Sequence, residues 1–168
     1  LINDILDFSK IEAGKLHLNK EPTNVNELVI DAQNSLYPKL KEKELDFRIT
    51  SNENNPDLLY LDKARLRQIL FNVIGNAIKF TNKGEIHIKL KYLINESNNI
   101  DLTINVIDTG IGINKEDQEK IFSPFEQQSN SISKKYGGTG LGLAICNKII
   151  KLMKGTMSVK STFGEGST

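Results

Sequence analysis

The sequence predicts an α/β (α+β) two-layer sandwich: a mixed sheet with helices packed on one face. Two observations carry this prediction. Segments with apolar residues at helical spacing are interspersed with short segments that alternate apolar and polar residues. Two of the alternating segments, one with Ile86, Ile88 and Leu90 and one with Leu102, Ile104 and Val106, flank the polar run Asn95 to Asn99. That arrangement reads as an antiparallel hairpin.

The elements follow in order. Leu1, Ile2, Ile5, Leu6, Phe8 and Ile11 recur at helical spacing, and Gly14 stands where a C-terminal cap is expected. Lys15 to Glu21 alternates as a short strand that Pro22 ends, because proline has no N–H to give to a ladder. Asn24 with Glu27 has the pattern of a capping box, so a helix is expected to about Lys43. Leu45, Phe47 and Ile49 alternate as a strand, and Asp62 caps a helix from Lys63 to Phe80. Beyond the hairpin a short helix is expected after Asn114, and Gln127 to Lys135 is polar and aperiodic, a long loop. A further helix is expected from Gly140 to about Lys154 with Gly155 at its cap, and Met157 and Val159 open a last strand.

The 168 residues suit one domain with a short appendage. A net charge of +1 gives no argument for nucleic acid or for an anionic membrane. The single cysteine, Cys146, excludes an intrachain disulfide and fits a reducing compartment. No apolar run approaches the roughly 20 residues of a membrane-spanning helix, and no secretory signal pattern is present. The expectation is a cytoplasmic domain without membrane contact, whose parent is free to be anchored. A helical pattern is already under way at Leu1 and no stop signal precedes Thr168, so a longer parent protein is expected.

Four segments carry chemistry. In the run Asn72 to Thr81, positions 72, 76 and 79 share one helical stripe. Leu66, Leu70, Val73, Ile74 and Ala77 form another, the expected core face. Two carboxamides and an ammonium therefore line up beside the core. A carboxamide oxygen is a hard, neutral ligand suited to Mg²⁺ when phosphates balance the charge. The competing reading is an ordinary solvated helix face.

In Asp108-Thr-Gly110-Ile-Gly112-Ile113, Asp108 continues the alternation of Leu102, Ile104 and Val106 and is expected to point inward. An inward carboxylate needs donors, which an adenine amine or its own turn can supply. Asp-Thr-Gly also opens the active loop of aspartic proteases, but that chemistry uses two such carboxylates and the chain has one copy. Gly137-Gly-Thr-Gly140-Leu-Gly142 runs straight into an amphipathic helix. Glycine amides at a helix N-terminus make an anion cradle. The spacing fits neither the dinucleotide fingerprint nor a P-loop, and the serine/threonine-kinase signatures are missing. Phe122-Ser-Pro-Phe125 brackets a proline with two aromatics just ahead of the long loop.

In this order the segments resemble the asparagine box, first glycine box, phenylalanine box and second glycine box of the histidine-kinase catalytic domain. That domain is one branch of the ATPase superfamily that includes DNA gyrase, MutL and the large heat-shock chaperone. Gly164-Glu-Gly166-Ser167 resembles the start of the third glycine box, and the likeness runs from about Pro22 to Thr168. Leu6 to Gly14 resembles the end of the dimerisation hairpin that precedes this domain. The resemblance thus divides the chain into residues 1–14, the hairpin end, and 15–168, an ATP-binding domain. It also implies that the third glycine box breaks off at Thr168 before its usual strand, with a sheet edge left open.

The resemblance implies ATP and Mg²⁺ as ligands, with Asn72, Asn76 and Lys79 as the catalytic set. Asn76 would coordinate Mg²⁺, Asn72 would support it one turn earlier, and Lys79 would reach the phosphates. Asp108 would accept from the adenine amine, with Gly110 and Gly112 admitting the backbone to the purine. Phe80, Ile113, Phe122, Phe125, Leu143 and Ser167 complete the implied pocket. Gly138, Thr139, Gly140, Leu141 and Gly142 would line the phosphates, and Gln127 to Tyr136 would form a lid. The implied activity is transfer of the γ-phosphoryl group to a histidine on the protein's own dimerisation domain, within a homodimer, for relay to a response-regulator receiver domain. The acceptor motif is absent: the only histidines, His17 and His87, stand at polar positions of expected strands. The superfamily's hydrolases place a Glu where Asn72 stands, and a carboxamide cannot take a proton from water. This favours transfer over a conformational ATPase; a regulatory nucleotide-binding module without transfer is the other alternative.

Overall fold

The structure, a computed structural model, describes residues 2–52, 55–126 and 139–168, with side-chain surroundings from residue 5 onward. The expected loop and lid over 127–136, together with Gly137 and Gly138, lie outside the described residues. A five-stranded sheet runs in the order β2 (Asp46–Ser51), β4 (Glu85–Ile94), β5 (Ile100–Asp108), β7 (Gly166–Ser167), β6 (Ser161–Thr162). β2 is parallel to β4, and β4 is antiparallel to β5. β7 pairs antiparallel with both β5 and β6.

Alternation sets the faces. Ile86, Ile88, Leu90 and Tyr92 of β4 are buried, and the register places Asp108, Val106, Ile104 and Leu102 directly opposite them. Directly opposed residues of an antiparallel pair share a face. Asp108 therefore points inward beside Ile86, as the alternation predicts.

Two helices cover this inner face, α2 (Val25–Glu42) and α3 (Lys63–Phe80). Both start where the sequence marks them. Asn24 Oδ1 accepts from the Glu27 N–H at 3.1 Å, and Asp62 Oδ1 accepts from the Arg65 N–H at 2.9 Å. Caps of this kind stabilise by about 1 kcal/mol each. Leu66, Leu70, Ile74, Ala77 and Ile78 of α3 join the sheet core. Val73 departs from the expected core face. With Ile69 it packs into a second cluster formed by Leu141, Ile145, Cys146 and Ile149, joined by Phe8 and Ile11. These residues belong to or adjoin α4 (Gly142–Leu152) and α1 (Ile2–Glu12). α3 is thus buried on two sides, and its apolar arc is wider than one stripe. No helix of the described residues is long and apolar enough to cross a membrane.

Other expectations are corrected locally. Residues 15–20 form no strand; β1 is Glu21–Thr23, paired with β3 (Leu59–Leu61), and Pro22 lies inside it opposite Tyr60. A two-stranded ribbon has outward-facing N–H positions where a proline breaks no ladder bond. Beyond Asn114 come turns and a single 3₁₀ turn, Lys120–Phe122, instead of an α-helix. At the end of α4 the left-handed residue is Lys154 (φ +62°), while the N–H of Gly155 returns to Ile150 O at 2.9 Å. The helix ends one residue earlier than glycine placement suggests, so the cap position falls on lysine. Met157 and Val159 precede β6 without joining it, and β7 lies between β5 and β6. The third glycine segment is therefore interior to the sheet, and β6 forms the edge.

Candidate functional site

The site begins where β5 ends. Oδ1 of the half-buried Asp108 accepts from the Gly110 N–H at 2.8 Å, and the Ser167 N–H also donates to the carboxylate. Burial pushes this carboxyl above its usual value, and the two N–H donors oppose that only in part. A carboxylate offers about four acceptor positions, so capacity remains for a donor on a ligand. Gly110 is buried against two groups at once. A Cβ there would lie 2.7 Å from both Asp108 Oδ1 and Phe80 O, so only glycine lets the loop pass this close. The next residue, Ile111, donates its N–H to Phe80 O at 3.2 Å, which ties the loop to the end of α3.

α3 supplies the polar stripe. Asn72, Asn76 and Lys79 are all half-buried. Asn72 Nδ2 donates to Gln68 O at 3.2 Å, and its Oδ1 faces the start of α4, where a Cβ on Gly142 would come within 2.7 Å of it. The first and third sequence segments therefore meet, as a common site requires. Lys79 Nζ lies 4.8 Å from the centre of the Phe80 ring, and burial lowers the ammonium's pKa.

α4 starts without a side-chain cap and without an acidic residue in its first turn. The Leu141 N–H is already engaged, donating to Thr139 Oγ1 at 3.2 Å, and the Leu141 side chain is buried in the second cluster. Leu143 is half-buried. Gly140 (φ +72°) accepts from the Phe125 N–H at 3.2 Å. Phe125 is mostly exposed, with its ring edge-on to Phe8 of α1 at 6.4 Å between centres. Phe122 is half-buried in the 3₁₀ turn. Gly138 lies outside the described residues.

Gly112 and Ile113 lie against β6, and a Cβ on Gly112 would fall 2.0 Å from Thr162 O. The Ile113 N–H donates to Ser161 Oγ at 2.8 Å, and Gln118 Nε2 donates to both Ile113 O (3.1 Å) and Ser161 O (2.8 Å). Ser161 Oγ also bonds Gly166 O (2.7 Å) and lies 3.0 Å from Ser167 Oγ. Gln118 and Ser161 sit in no motif, and no periodicity announces them. An open cleft of about 370 Å³, lined by Asn82, Lys83, Thr109 to Ile111, Phe163 and Gly164, shares only Gly110 with the predicted set.

These residues fit a purine nucleotide. A half-buried carboxylate keeps acceptor capacity, Gly110 brings its loop hard against that carboxylate, a helix start is uncapped, and carboxamides and an ammonium share one stripe. Among the described residues no three His, Cys, Asp or Glu side chains form a metal site. A cation held at Asn76 would thus balance its charge on phosphates.

The profile of the histidine kinase-, DNA gyrase B- and HSP90-like ATPases matches residues 61–168. The chain belongs to this ATPase family. Among its relatives, LuxQ of Vibrio cholerae, an autoinducer 2 sensor kinase/phosphatase, is 40% identical over 167 residues, 99% of this chain and 19% of LuxQ. The histidine-kinase-like fold also matches solved structures. Full-length ShkA in complex with AMPPNP superposes with a TM-score of 0.80 at 29% identity, over 99% of this chain and 33% of ShkA. The histidine kinase ThkA in complex with the response regulator TrrA superposes at 0.72 and 26% identity, over 97% of this chain and 44% of ThkA.

Proposed function

We propose that this chain is the ATP-binding catalytic domain of a two-component sensor histidine kinase. Residues 15–168 bind Mg·ATP on the cytoplasmic side, and residues 1–14 end the dimerisation hairpin that carries the acceptor histidine. The observation that carries this reading is the meeting of distant segments: Asn72 against Gly142, Phe80 with Ile111, and Asp108 with Gly110 and Ser167.

Asp108 accepts from the adenine amine while Gly110 and Gly112 leave room for the purine. Phe80, Ile113, Phe122, Phe125, Leu143 and Ser167 surround it. Lys79 and the backbone from Gly138 through Thr139, Gly140 and Leu141 to Gly142 hold the phosphates. Asn76, supported by Asn72, holds Mg²⁺, which neutralises charge on the phosphates when bound. An imidazole nitrogen of the acceptor attacks the γ-phosphorus, the bond to the β–γ bridging oxygen breaks, and ADP leaves with the electron pair. Such transfer needs positioning and charge stabilisation more than covalent help from the protein. The phosphoryl group then passes to an aspartate of a response-regulator receiver domain.

Incubation with radiolabelled ATP, alone and with a separate helical hairpin that carries an acceptor histidine, tests this. Transfer to the hairpin in trans is expected, slowly, because the effective concentration given by a covalent linker is lost. No label is expected on the chain alone. His17 is exposed and, contrary to expectation, lies in no strand; His87 sits on the outer face of β4 with Nε2 2.8 Å from Thr50 Oγ1. Acid-labile label on either histidine overturns the claim that the acceptor lies outside this chain, and no label on the hairpin overturns the kinase reading.

A further inference from the structure

Every carbonyl from residue 77 to 81, at the end of α3, has a donor. A helix leaves its last four carbonyls without intrahelical partners. Here Ala77 O accepts both the N–H and the hydroxyl of Thr81, at 3.0 and 2.7 Å. Phe80 O accepts from the Ile111 N–H. The other three, on Ile78, Lys79 and Thr81, all accept from one group: Nζ of Lys43, at 2.7, 2.9 and 3.0 Å. An ammonium has three donors, and all three are used. Lys43 is the C-cap residue of α2, so its side chain reaches across from the neighbouring helix.

The same turn holds Lys79 and Phe80, and the Phe80 carbonyl anchors the loop of Gly110 through Ile111. The carbonyl end of a helix also carries a partial charge of about −0.5, a poor neighbour for a polyphosphate. An ammonium seated on it removes that repulsion.

We propose that Lys43 is a positioning residue for the nucleotide site: it fixes the last turn of α3, and with it Lys79, Phe80 and the first glycine loop, in the arrangement that accepts an anionic nucleotide. The ligand in this proposal rests on the nucleotide-binding reading above; the geometry does not.

Two readouts test it under conditions where every variant is folded: calorimetric affinity for Mg·ADP, and amide exchange of Ile111. Lys43→Met keeps the stem and removes the charge and donors. It is expected to weaken Mg·ADP binding about fivefold to tenfold and to speed Ile111 exchange by a similar factor. Lys43→Arg keeps the charge but spreads its donors over a planar fork, and a smaller loss is expected. Val29→Ala, which trims the core of α2 near its other end, is expected to lower stability and leave affinity unchanged. Wild-type affinity and wild-type Ile111 exchange in Lys43→Met, or in Lys43→Arg if the Met variant does not fold, overturn the proposal. If the unsubstituted chain binds no nucleotide, the functional reading fails, while Ile111 exchange still decides whether Lys43 positions the loop.

Discussion

Asn72 and Gly142 are packed so closely that a methyl group on Gly142 would lie 2.7 Å from Asn72 Oδ1. Gly142→Ala is therefore expected to push the Asn72 carboxamide out of place. The helix itself tolerates the change, since alanine favours a helix over glycine by about 1 kcal/mol. Phosphotransfer should fall about 10- to 100-fold, the scale of ångström-sized misplacement at a reacting centre. In an Asn72→Ala background the same substitution should have little further effect, because the two residues act as a unit. Wild-type transfer by Gly142→Ala, with melting unchanged, would remove this contact from the site.

Asp108→Asn should trade affinity for stability. Loss of a charge-assisted hydrogen bond to the adenine amine is expected to weaken nucleotide binding by about 1.5–3 kcal/mol, measured by calorimetry. The stability effect has the opposite sign. The folded carboxyl is raised above its unfolded value. Between those two values the folded state binds more protons, so this group's contribution to stability falls as pH rises through the window. Above the window the burial cost is fully present. The Asn variant should thus be more stable than the parent at neutral pH, and the difference should vanish below the ordinary aspartate range. Urea unfolding across pH checks the sign.

Asn76 variants separate metal binding from nucleotide binding. Asn76→Ala loses a neutral oxygen ligand, so transfer should drop sharply and respond weakly to added Mg²⁺. Asn76→Asp adds a negative charge beside the triphosphate and should also transfer poorly, despite its nearly unchanged size. Titration of Mg²⁺ in the transfer assay distinguishes the two, and undiminished transfer by Asn76→Ala would show that the metal role is misassigned.

Tyr92 gives a stability prediction away from the site. Its ring fills the core beneath β4, its hydroxyl has no partner among the described residues, and burial raises its pKa. Tyr92→Phe should leave nucleotide affinity unchanged and raise unfolding free energy by about 1 kcal/mol, because a buried unsatisfied group is removed. A loss of stability on denaturant unfolding would reveal a hydrogen bond the hydroxyl makes.

The helix starts and the inward strand end follow short-range rules that the sequence displays, whereas the short helix expected after Asn114 and the cap expected at Gly155 do not form as those rules suggest. Asn24 and Asp62 cap their helices through amides three residues on. The inward turn of Asp108 followed from alternation with Val106 and Ile104, because the strand continues unbroken to its end. Much of what escaped depends on partners far along the chain. The ribbon of Glu21–Thr23 with Leu59–Leu61 is too short for periodicity to show, and it contains a proline. Val73 belongs to a second core that exists only once α1 and α4 pack on α3. Lys43 enters the sequence reading only as the approximate end of a helix, and its role comes from its reach onto α3.

The interior place of β7 has a consequence for how the molecule comes to be made. Asp108 pairs with Ser167, 59 positions later in the chain (167 − 108), so the strand beside the carboxylate leaves a ribosome well after the hairpin it completes. Chains emerge N-terminal end first, and closing so long a loop is an entropic cost met only when its far end arrives. During synthesis β4 and β5 can already form their hairpin while Asp108 sits on an unfinished border, lacking the Ser167 amide. On the proposed function, competence for nucleotide therefore waits for the emergence of Ser167, and a nascent chain stalled before Gly166 would carry the polar stripe of α3 beside a pocket still open on one side.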